Sequence, residues 1–304
     1  MGDALISVIV ASYRRDDTLL RALRSLGAQT YPRLEIVVVD DNGDPSWNEK
    51  TAAIVKSFEE QSGKQVVLIV NDHNCGSAES RNVGIRAASG EYIAFLDDDD
   101  EYLPQHLENQ YRAMADANAD YSLSDLMLLR DDGKLCEMRT RGYLLTDEGK
   151  NRLVCHLKYH MTGTDVMMFR KAYLMQIGMF DPINVGDEFY LMTKAIVGNG
   201  KFLYIPWCGA RAYVHTGDGG LSSGEQKIRG ENDLYTYKQQ YFSDMTARDI
   251  RYIRMRHHAV LAFAYMRSGK TGQFLTQCLK GLLCAPMSGM RLVFERIVFR
   301  REYA

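Results

Sequence analysis

Short apolar runs alternate with amphipathic stretches in the first part of the chain. The first three runs are rich in β-branched residues, the fourth contains two aromatic residues, and polar residues follow each run; the runs cover 6–10, 35–39, 65–70 and 92–96. Between the runs, apolar residues recur at helical spacing, as at 19–26 and in the stretch 77–88. Fourfold strand–helix alternation predicts an α/β fold with a mainly parallel sheet covered by helices on both faces.

The pattern changes in the later part of the chain. It predicts a helix over 104–117, a strand over 121–129, a late strand over 201–205 and a short one over 212–215. From about residue 225 onward the spacing of apolar residues is helical to the end. We therefore predict a catalytic α/β domain over 1–220 and a helical extension over 221–304.

Five consecutive acids, 97–101, directly follow the strand predicted at 92–96. Two like charges 4 Å apart repel by about 1 kcal/mol in water and by about 4 kcal/mol at an effective dielectric near 20. A solvated loop is one interpretation of such a run. However, polar residues also follow the first two strands, at 12–13 and 40–41, and ligands bind at the carboxyl ends of parallel strands. This convergence favours a site for a hard divalent cation, Mg²⁺ or Mn²⁺.

Composition adds limits on the class of protein. The 304 residues are 46% hydrophobic and 25% charged, which is typical of a globular protein with a large core. The sequence has no run of 18 apolar residues, and its first residues lack the pattern of a signal peptide, so we expect a cytoplasmic location. Six cysteines without paired spacing predict reduced thiols, and neither a zinc site nor a disulfide framework.

Charge is distributed unevenly. Residues 251–304 carry ten Lys or Arg and two acids, whereas residues 1–250 carry 27 bases and 37 acids. The last segment interleaves these bases with apolar residues, which indicates basic amphipathic helices. Such helices either lie on an anionic membrane surface or pack on the catalytic domain with a basic outer face. Nucleic-acid binding is disfavoured, because no recognised module is present and the rest of the chain is acidic.

Several motifs stand in a fixed order along residues 5–220, and as a set they are specific. They are Ser7-Val8-Ile9-Val10-Ala11-Ser12-Tyr13, Val37-Val38-Val39-Asp40-Asp41-Asn42, Ser80-Arg81-Asn82-Val83-Gly84, Gly90-Glu91-Tyr92-Ile93 and Phe95-Leu96-Asp97-Asp98-Asp99-Asp100. In this set the chain resembles the family 2 glycosyltransferases, which have the GT-A fold. The resemblance implies an inverting enzyme that uses a nucleotide-sugar donor and Mn²⁺ or Mg²⁺.

The DXD motif of that family falls on residues 97–99. The resemblance implies that Asp99 binds the divalent cation that bridges the donor diphosphate, with Asp97 or Asp98 near the ribose. His215 stands where the family often has a histidine that contacts the metal or the diphosphate. A packed histidine after an apolar strand is the alternative interpretation of His215.

The resemblance also assigns donor contacts outside the acidic run. It places the nucleobase contacts at Ala11, Tyr13 and Asp41, whereas Asp40 is more simply a cap on the following turn. Arg81 lies at the start of a predicted helix, where a solvated side chain is the ordinary outcome. Next to a diphosphate, its planar fork of donors would bind phosphate or base oxygens.

Asp187 and Glu188 are the candidate catalytic acids. Transfer with inversion needs a base that deprotonates the acceptor hydroxyl as it attacks the anomeric carbon. The family pattern is Glu-Asp before an aromatic residue, and this chain has the reverse order, Asp187-Glu188-Phe189. If the family pattern is aligned on the downstream Leu191, Glu188 stands at the position of the base. If the type of acid is matched instead, Asp187 is favoured. We expect Glu188 to be the base.

The sequence therefore predicts an inverting glycosyltransferase that moves a sugar, most simply from a UDP-sugar, to a hydroxyl of a cell-surface glycan or lipid-linked oligosaccharide. Peripheral association of residues 251–304 with the inner face of the membrane is part of this expectation. A sugar nucleotidyltransferase is one alternative, but it would carry a glycine-rich basic loop after the first strand, and residues 12–15 contain no glycine. An inactive nucleotide-sugar-binding scaffold is the other alternative, and the presence of Asp97, Asp99 and Glu188 argues against it.

Overall fold

Nine strands of the described residues form one mixed sheet. The computed structural model describes residues 3–146, 151–183, 185–214 and 224–290. The strands are β1 Ile6–Ser12, β2 Leu34–Asp40, β3 Val66–Val70, β4 Tyr92–Phe95, β5 Glu101–Tyr102, β6 Tyr121–Arg130, β7 Leu135–Arg139, β8 Met167–Arg170 and β9 Phe202–Val214. The helices are α1 Thr18–Gly27, α2 Pro45–Ser62, α3 Ser77–Ala87, α4 His106–Ala117, α5 Arg152–Tyr159, α6 Lys171–Gln176, α7 Asp187–Val197, α8 Gly224–Gln239, α9 Ala247–Arg267 and α10 Thr271–Cys284.

The strand order is β3-β2-β1-β4-β8-β6-β9-β5, and β7 pairs with β6. Strands β3, β2, β1 and β4 run parallel, β8 is antiparallel to β4 and to β6, and β9 runs parallel to β6. The central strands β1 and β4 are almost wholly buried, as their continuous apolar runs predict. The predicted α/β sheet is confirmed, and the carboxyl ends of β1, β2 and β4 lie at one edge.

Strand β9 differs from the sequence-based prediction. Residues 201–205 and 212–215 were expected to form two strands, but Phe202–Val214 is one strand paired along its length with β6. Pro206 and Gly209 interrupt the apolar pattern between the two predicted segments. The pairing register shifts opposite this interruption, at Asp125, so the strand continues through it.

The edge strand β5 was not predicted, because it is only two residues long. It contains the last acid of the 97–101 run and pairs with β9, so that Glu101 lies opposite Arg211. The helix predicted to open at residue 104 begins at His106. This short pairing anchors the end of the acidic run to the sheet.

Two glycines let the fourth βα unit pack closely on β1. A Cβ atom on Gly84 would lie 2.5 Å from Cγ2 of Ile9, and one on Gly90 would lie 2.7 Å from the backbone nitrogen of Ser7. Real Cβ contacts are not this short, so any larger residue would push α3 or the 90–91 segment away from the sheet. The close packing of α3 fixes the position of Arg81 at the carboxyl edge.

The described residues divide into two compact units. The first contains 3–146, 162–183 and 187–214, and so holds the whole sheet. The second contains helices α5, α8, α9 and α10, with a Lys158–Asp249 ion pair of 2.9 Å between α5 and α9. The prediction placed α5 in the first domain, because it drew a single boundary at residue 220. Among the described helices, none has the length and apolar character needed to cross a membrane.

Candidate active site

Arg15 holds two carboxylates of the acidic run. Its Nε lies 3.1 Å from Oδ1 of Asp98, and its Nη2 lies 2.6 Å from Oδ2 of Asp99. The backbone N–H of Tyr13, just after β1, donates to the other oxygen of Asp98 at 3.1 Å. Burial, with repulsion from Asp99, raises the pKa of Asp98 to about 7. A cation is therefore favoured at this point of the run, and the Arg15 guanidinium supplies one.

Three other carboxylates form a second group, which we call the three-carboxylate group: Asp97, Asp100 and Asp165. One oxygen from each lies within 4.8 Å of the others. The Asp97 N–H donates to Oδ1 of Asp165 at 2.8 Å, and the N–H of Tyr213 on β9 donates to Oδ1 of Asp100 at 2.8 Å. Burial, followed by mutual repulsion, raises the pKa of Asp100 and of Asp165. Carboxylates so close are held together by a shared proton or by a cation.

Arg81 links the acidic run to the start of α7. Its Nη2 lies 2.7 Å from Oδ1 of Asp97, and its Nη1 lies 2.6 Å from Oδ2 of Asp187. The side chain is buried, with 7% of the residue exposed. Burial lowers the pKa of Arg81, but attraction to Asp187 and Asp97 outweighs this effect and the pKa is raised. Arg81 is therefore a fixed charge that sets the distance between β4 and α7.

The two candidate bases have different surroundings. Asp187 is buried and, besides its Arg81 ion pair, accepts the backbone N–H of Glu188 at 3.0 Å. Burial raises the pKa of Asp187 to about 6, against the opposing effect of Arg81. Glu188 is half-buried and lies in the first turn of α7, where the helix dipole favours a negative charge. Asp187 is committed to the Arg81 ion pair and to the helix start.

Asp41 follows β2 and orders the loop at 71–76. Its Oδ1 accepts the side-chain N–H of Asn71 and the backbone N–H of Cys75, both at 2.8 Å. Its Oδ2 accepts the backbone N–H of Gly76 at 2.9 Å and the side-chain N–H of Asn74 at 3.1 Å. The residue predicted to contact the nucleobase therefore shapes the loop beside it.

The remaining predicted donor contacts lie at the same edge. Ala11 is in β1, opposite Val39 of β2, and the Tyr13 ring after β1 is 44% exposed. Asp40 is fully buried and accepts the backbone N–H of Asn42 at 3.0 Å, which is a cap of the turn after β2. His215 lies outside the described residues. The individual donor, metal and base assignments stay predictions.

Arg15 and Asp165 were not predicted as site residues from the sequence. Asp165 lies in a short 3₁₀ helix, Thr164–Val166, and is 68 positions from Asp97 along the chain. No motif or periodicity marks it, so only the folded structure brings it to the acidic run. Arg15 could have been selected because it closely follows the carboxyl end of a predicted strand.

The fold resembles that of solved structures of S. aureus TarS. S. aureus TarS 1-349, crystallised in complex with UDP-GlcNAc, superimposes with a TM-score of 0.59 over 92% of this chain and 91% of that chain. Sequence identity is 17%, so this likeness shows the fold alone, and the fold is of the GT-A type. A mixed sheet with acids at its carboxyl edge thus defines the structural class.

The sequence comparisons identify the family within that class. The chain belongs to glycosyl transferase family 2, whose family model matches residues 7–177, more than half of the chain. It is therefore a glycosyltransferase, as the motifs predict.

Two relatives illustrate the range of similarity. The chain is 27% identical over 205 residues to the uncharacterized glycosyltransferase MJ1057 of Methanocaldococcus jannaschii. This match covers 66% of this chain and 68% of MJ1057. It is 31% identical over 128 residues to WfaP of Escherichia coli, a UDP-Glc:alpha-D-GlcNAc-diphosphoundecaprenol beta-1,3-glucosyltransferase. The second match covers 42% of this chain and about half, 48%, of WfaP.

Proposed function

We propose that this enzyme transfers a sugar from a UDP-sugar to a hydroxyl acceptor with inversion, in the synthesis of a cell-surface glycan or lipid-linked oligosaccharide. The observation that carries the proposal is the buried Arg81, which joins an acid after β4 to an acid at the start of α7. This link holds the predicted donor-binding and acceptor-activating residues in one rigid arrangement. The names of WfaP and of the TarS complex, which mention UDP-Glc and UDP-GlcNAc, support a UDP-sugar donor.

The donor would lie along the carboxyl edge of the sheet. Ala11, Tyr13 and Asp41 would contact the base, with the exposed Tyr13 ring available for stacking. Asp97 or Asp98 would lie near the ribose. Arg81 would contact the diphosphate only by giving up part of its pairing, because its two Nη atoms are used by Asp97 and Asp187.

The residues present fit a divalent cation. Oxygen-rich carboxylate sites suit Mg²⁺ or Mn²⁺, and a cation beside the acidic run would offset the repulsion between Asp98 and Asp99. We assign the ion to Asp99, with His215 as a second ligand. Bound there, the ion would offset the negative charge of the leaving diphosphate. Asp99 would have to exchange its Arg15 contact for the ion.

The three-carboxylate group is the less favoured cation position. Burial raises the pKa of both Asp100 and Asp165, so a shared proton can hold these two acids together without a metal. Backbone N–H groups also fix one oxygen of each. We therefore assign this group to shaping the floor of the site rather than to binding the ion.

Glu188 would act as the general base. As the acceptor oxygen attacks the anomeric carbon from the face opposite the diphosphate, Glu188 takes the hydroxyl proton and the bond to UDP breaks. An α-linked donor then gives a β-linked product. Asp187 is the weaker candidate, because its charge is used in the buried pair with Arg81.

A screen of nucleotide-sugars tests the proposal. We expect UDP-Glc or UDP-GlcNAc to raise the melting temperature of the full-length protein in the presence of Mn²⁺, and slow donor hydrolysis to follow. GDP-mannose serves as the control for base selectivity. Absence of a thermal shift with every UDP-sugar, or formation of pyrophosphate from UTP and a sugar 1-phosphate, would contradict it.

Helix α10 gives separate support for membrane association. Its apolar face is exposed: Leu275, Leu279 and Leu283 are 60%, 61% and 74% exposed and recur at four-residue spacing. The part of the tail that the structure describes, 251–290, contains six Lys or Arg and no acid. We propose that this surface docks on an anionic membrane, where a lipid-linked acceptor would be presented.

Flotation with phosphatidylglycerol vesicles tests the docking. Each base near an anionic surface contributes about 1 kcal/mol, and salt screens that attraction over about 8–10 Å. The full-length protein should therefore float at low salt and not at high salt, and Leu279→Glu with Leu283→Glu should prevent flotation. A protein that stays unbound at low salt would contradict docking, and concentration-dependent dimerisation lost in the double variant would assign the face to a second copy.

A further inference from the structure

A cavity of about 320 Å³ lies between α1 and the β5–β9 edge of the sheet. Three arginines line it, Arg21 and Arg24 from α1 and Arg211 from β9, together with one acid, Glu101 of β5. We call it the arginine cavity. The predicted base contacts at Ala11, Tyr13 and Asp41 do not line it.

The positive charge of the arginine cavity is only partly compensated within the described residues. None of its three arginines makes an ion pair with any acid that the structure describes. The Nε atoms of Arg21 and Arg211 are also buried, and they have no hydrogen-bond partner among the described residues. Arg24 donates to a neutral partner, Oε1 of Gln61, at 3.0 Å. A cavity lined by guanidinium groups that have no acidic ion-pair partner favours an anionic ligand.

The one acid of the cavity is already engaged. Glu101 accepts a hydrogen bond from the Tyr213 hydroxyl, and the Arg21 guanidinium lies 4.0 Å from the centroid of the Tyr213 ring. Three guanidinium groups against one carboxylate leave a formal charge of +2. Guanidinium forks bind tetrahedral phosphate oxygens in pairs, which several arginines around one cavity can do together.

Arg21 also connects the cavity to the candidate active site. Its Nη2 donates to the backbone oxygen of Asp99, the residue assigned to the cation. A ligand held by Arg21 would therefore sit next to the donor diphosphate without occupying the base-binding edge. We propose that the arginine cavity binds a phosphate group of the acceptor. This inference rests on the proposed transferase function, because that function supplies the acceptor.

Calorimetric titration of the full-length protein with inorganic phosphate and with glycerol 3-phosphate tests this inference. The double variant Arg24→Gln with Arg211→Gln should weaken binding of both by at least about tenfold, because two charged donors are lost. Glu101→Gln should strengthen binding several-fold, since it removes the carboxylate found among the described lining residues while keeping the Tyr213 hydrogen bond. Arg112→Gln, which removes an exposed arginine of α4, is the control for loss of charge and should have no effect.

The donor gives the second arm of the experiment. UDP with Mn²⁺ should bind the double variant as it binds the wild type, and saturating UDP should leave the phosphate titration unchanged. Phosphate binding that UDP abolishes would assign the cavity to the donor diphosphate and overturn the inference. So would the absence of phosphate binding, or equal binding by all variants with unchanged melting curves. If the wild type does not bind UDP in the presence of Mn²⁺, the result would count against the proposed function and not against the arginine cavity.

Discussion

The acidic run and the arginine cavity are neighbours with opposite charge, and they meet at Asp99 to Glu101. On one side, burial and then repulsion between neighbouring carboxylates raise the pKa of Asp98 and of Asp100. On the other side, guanidinium groups lack acids among the described residues, and two of their nitrogens lack acceptors. Charges that could have neutralised one another are kept apart. Such local departures from good packing rules are expected where a protein binds ligands.

The connections between the two regions are few and specific. Arg15 reaches the carboxylates of Asp98 and Asp99, whereas Arg21 reaches only the backbone oxygen of Asp99. The charge of Arg21 is therefore not neutralised by the Asp99 carboxylate and can interact with an anion in the cavity. In the functions proposed above, the acids would serve a cation and the donor, and the arginines would serve an anion.

The largest effect is expected from breaking the buried link on the acidic side. Arg81→Met should lower the free energy of unfolding by about 3–5 kcal/mol, because it leaves Asp97 and Asp187 without their buried partner. Arg86→Met on the same helix removes an exposed ion pair with Glu79 and should cost about 1 kcal/mol or less. Urea unfolding measures both. Equal losses would show that the Arg81 link does not hold the site together.

The next effect concerns catalysis. Glu188→Gln should lower turnover by about 10² or more while leaving donor affinity within a few-fold, as expected for loss of a general base. Asp187→Asn should instead lower stability, because Arg81 would lose a buried partner. Donor hydrolysis, UDP titration and thermal melting separate the two roles. Near-normal turnover of Glu188→Gln would move the role of base to Asp187 or to another group.

A smaller effect is expected in the pH dependence of stability. The folded-state pKa of Asp98 is raised to about 7, so the folded chain binds a proton more tightly than the unfolded chain between about pH 4 and 7. The free energy of unfolding of the metal-free protein should therefore fall as pH rises through that window. Asp98 should account for about 2 kcal/mol of the fall between pH 5 and 7.

The matched variant for this effect is Asp98→Asn, which keeps the size of the side chain and removes its titration. Its unfolding free energy should change less with pH than that of the wild type, and the difference is measured by denaturant titrations at several pH values. Identical pH profiles would mean that Asp98 is not a buried titrating group.

The acidic side was largely predictable from sequence, and the arginine side was not. Asp41 and Asp97 follow apolar runs that read directly as parallel strands, so their shared edge follows from topology alone. Arg211 lies in a strand whose continuity is hidden by Pro206 and Gly209, and its pairing with Glu101 depends on the two-residue β5. Local patterns carry no information about such long-range edge pairing.

We propose that a divalent cation at Asp99 couples the enzyme to the donor diphosphate. Electron paramagnetic resonance of Mn²⁺ tests it directly, with wild type and Asp99→Asn measured with and without UDP. We predict that UDP strengthens Mn²⁺ binding in the wild type and that Asp99→Asn abolishes this coupling while its melting curve stays normal. Unchanged Mn²⁺ dependence of UDP binding in Asp99→Asn would contradict the claim.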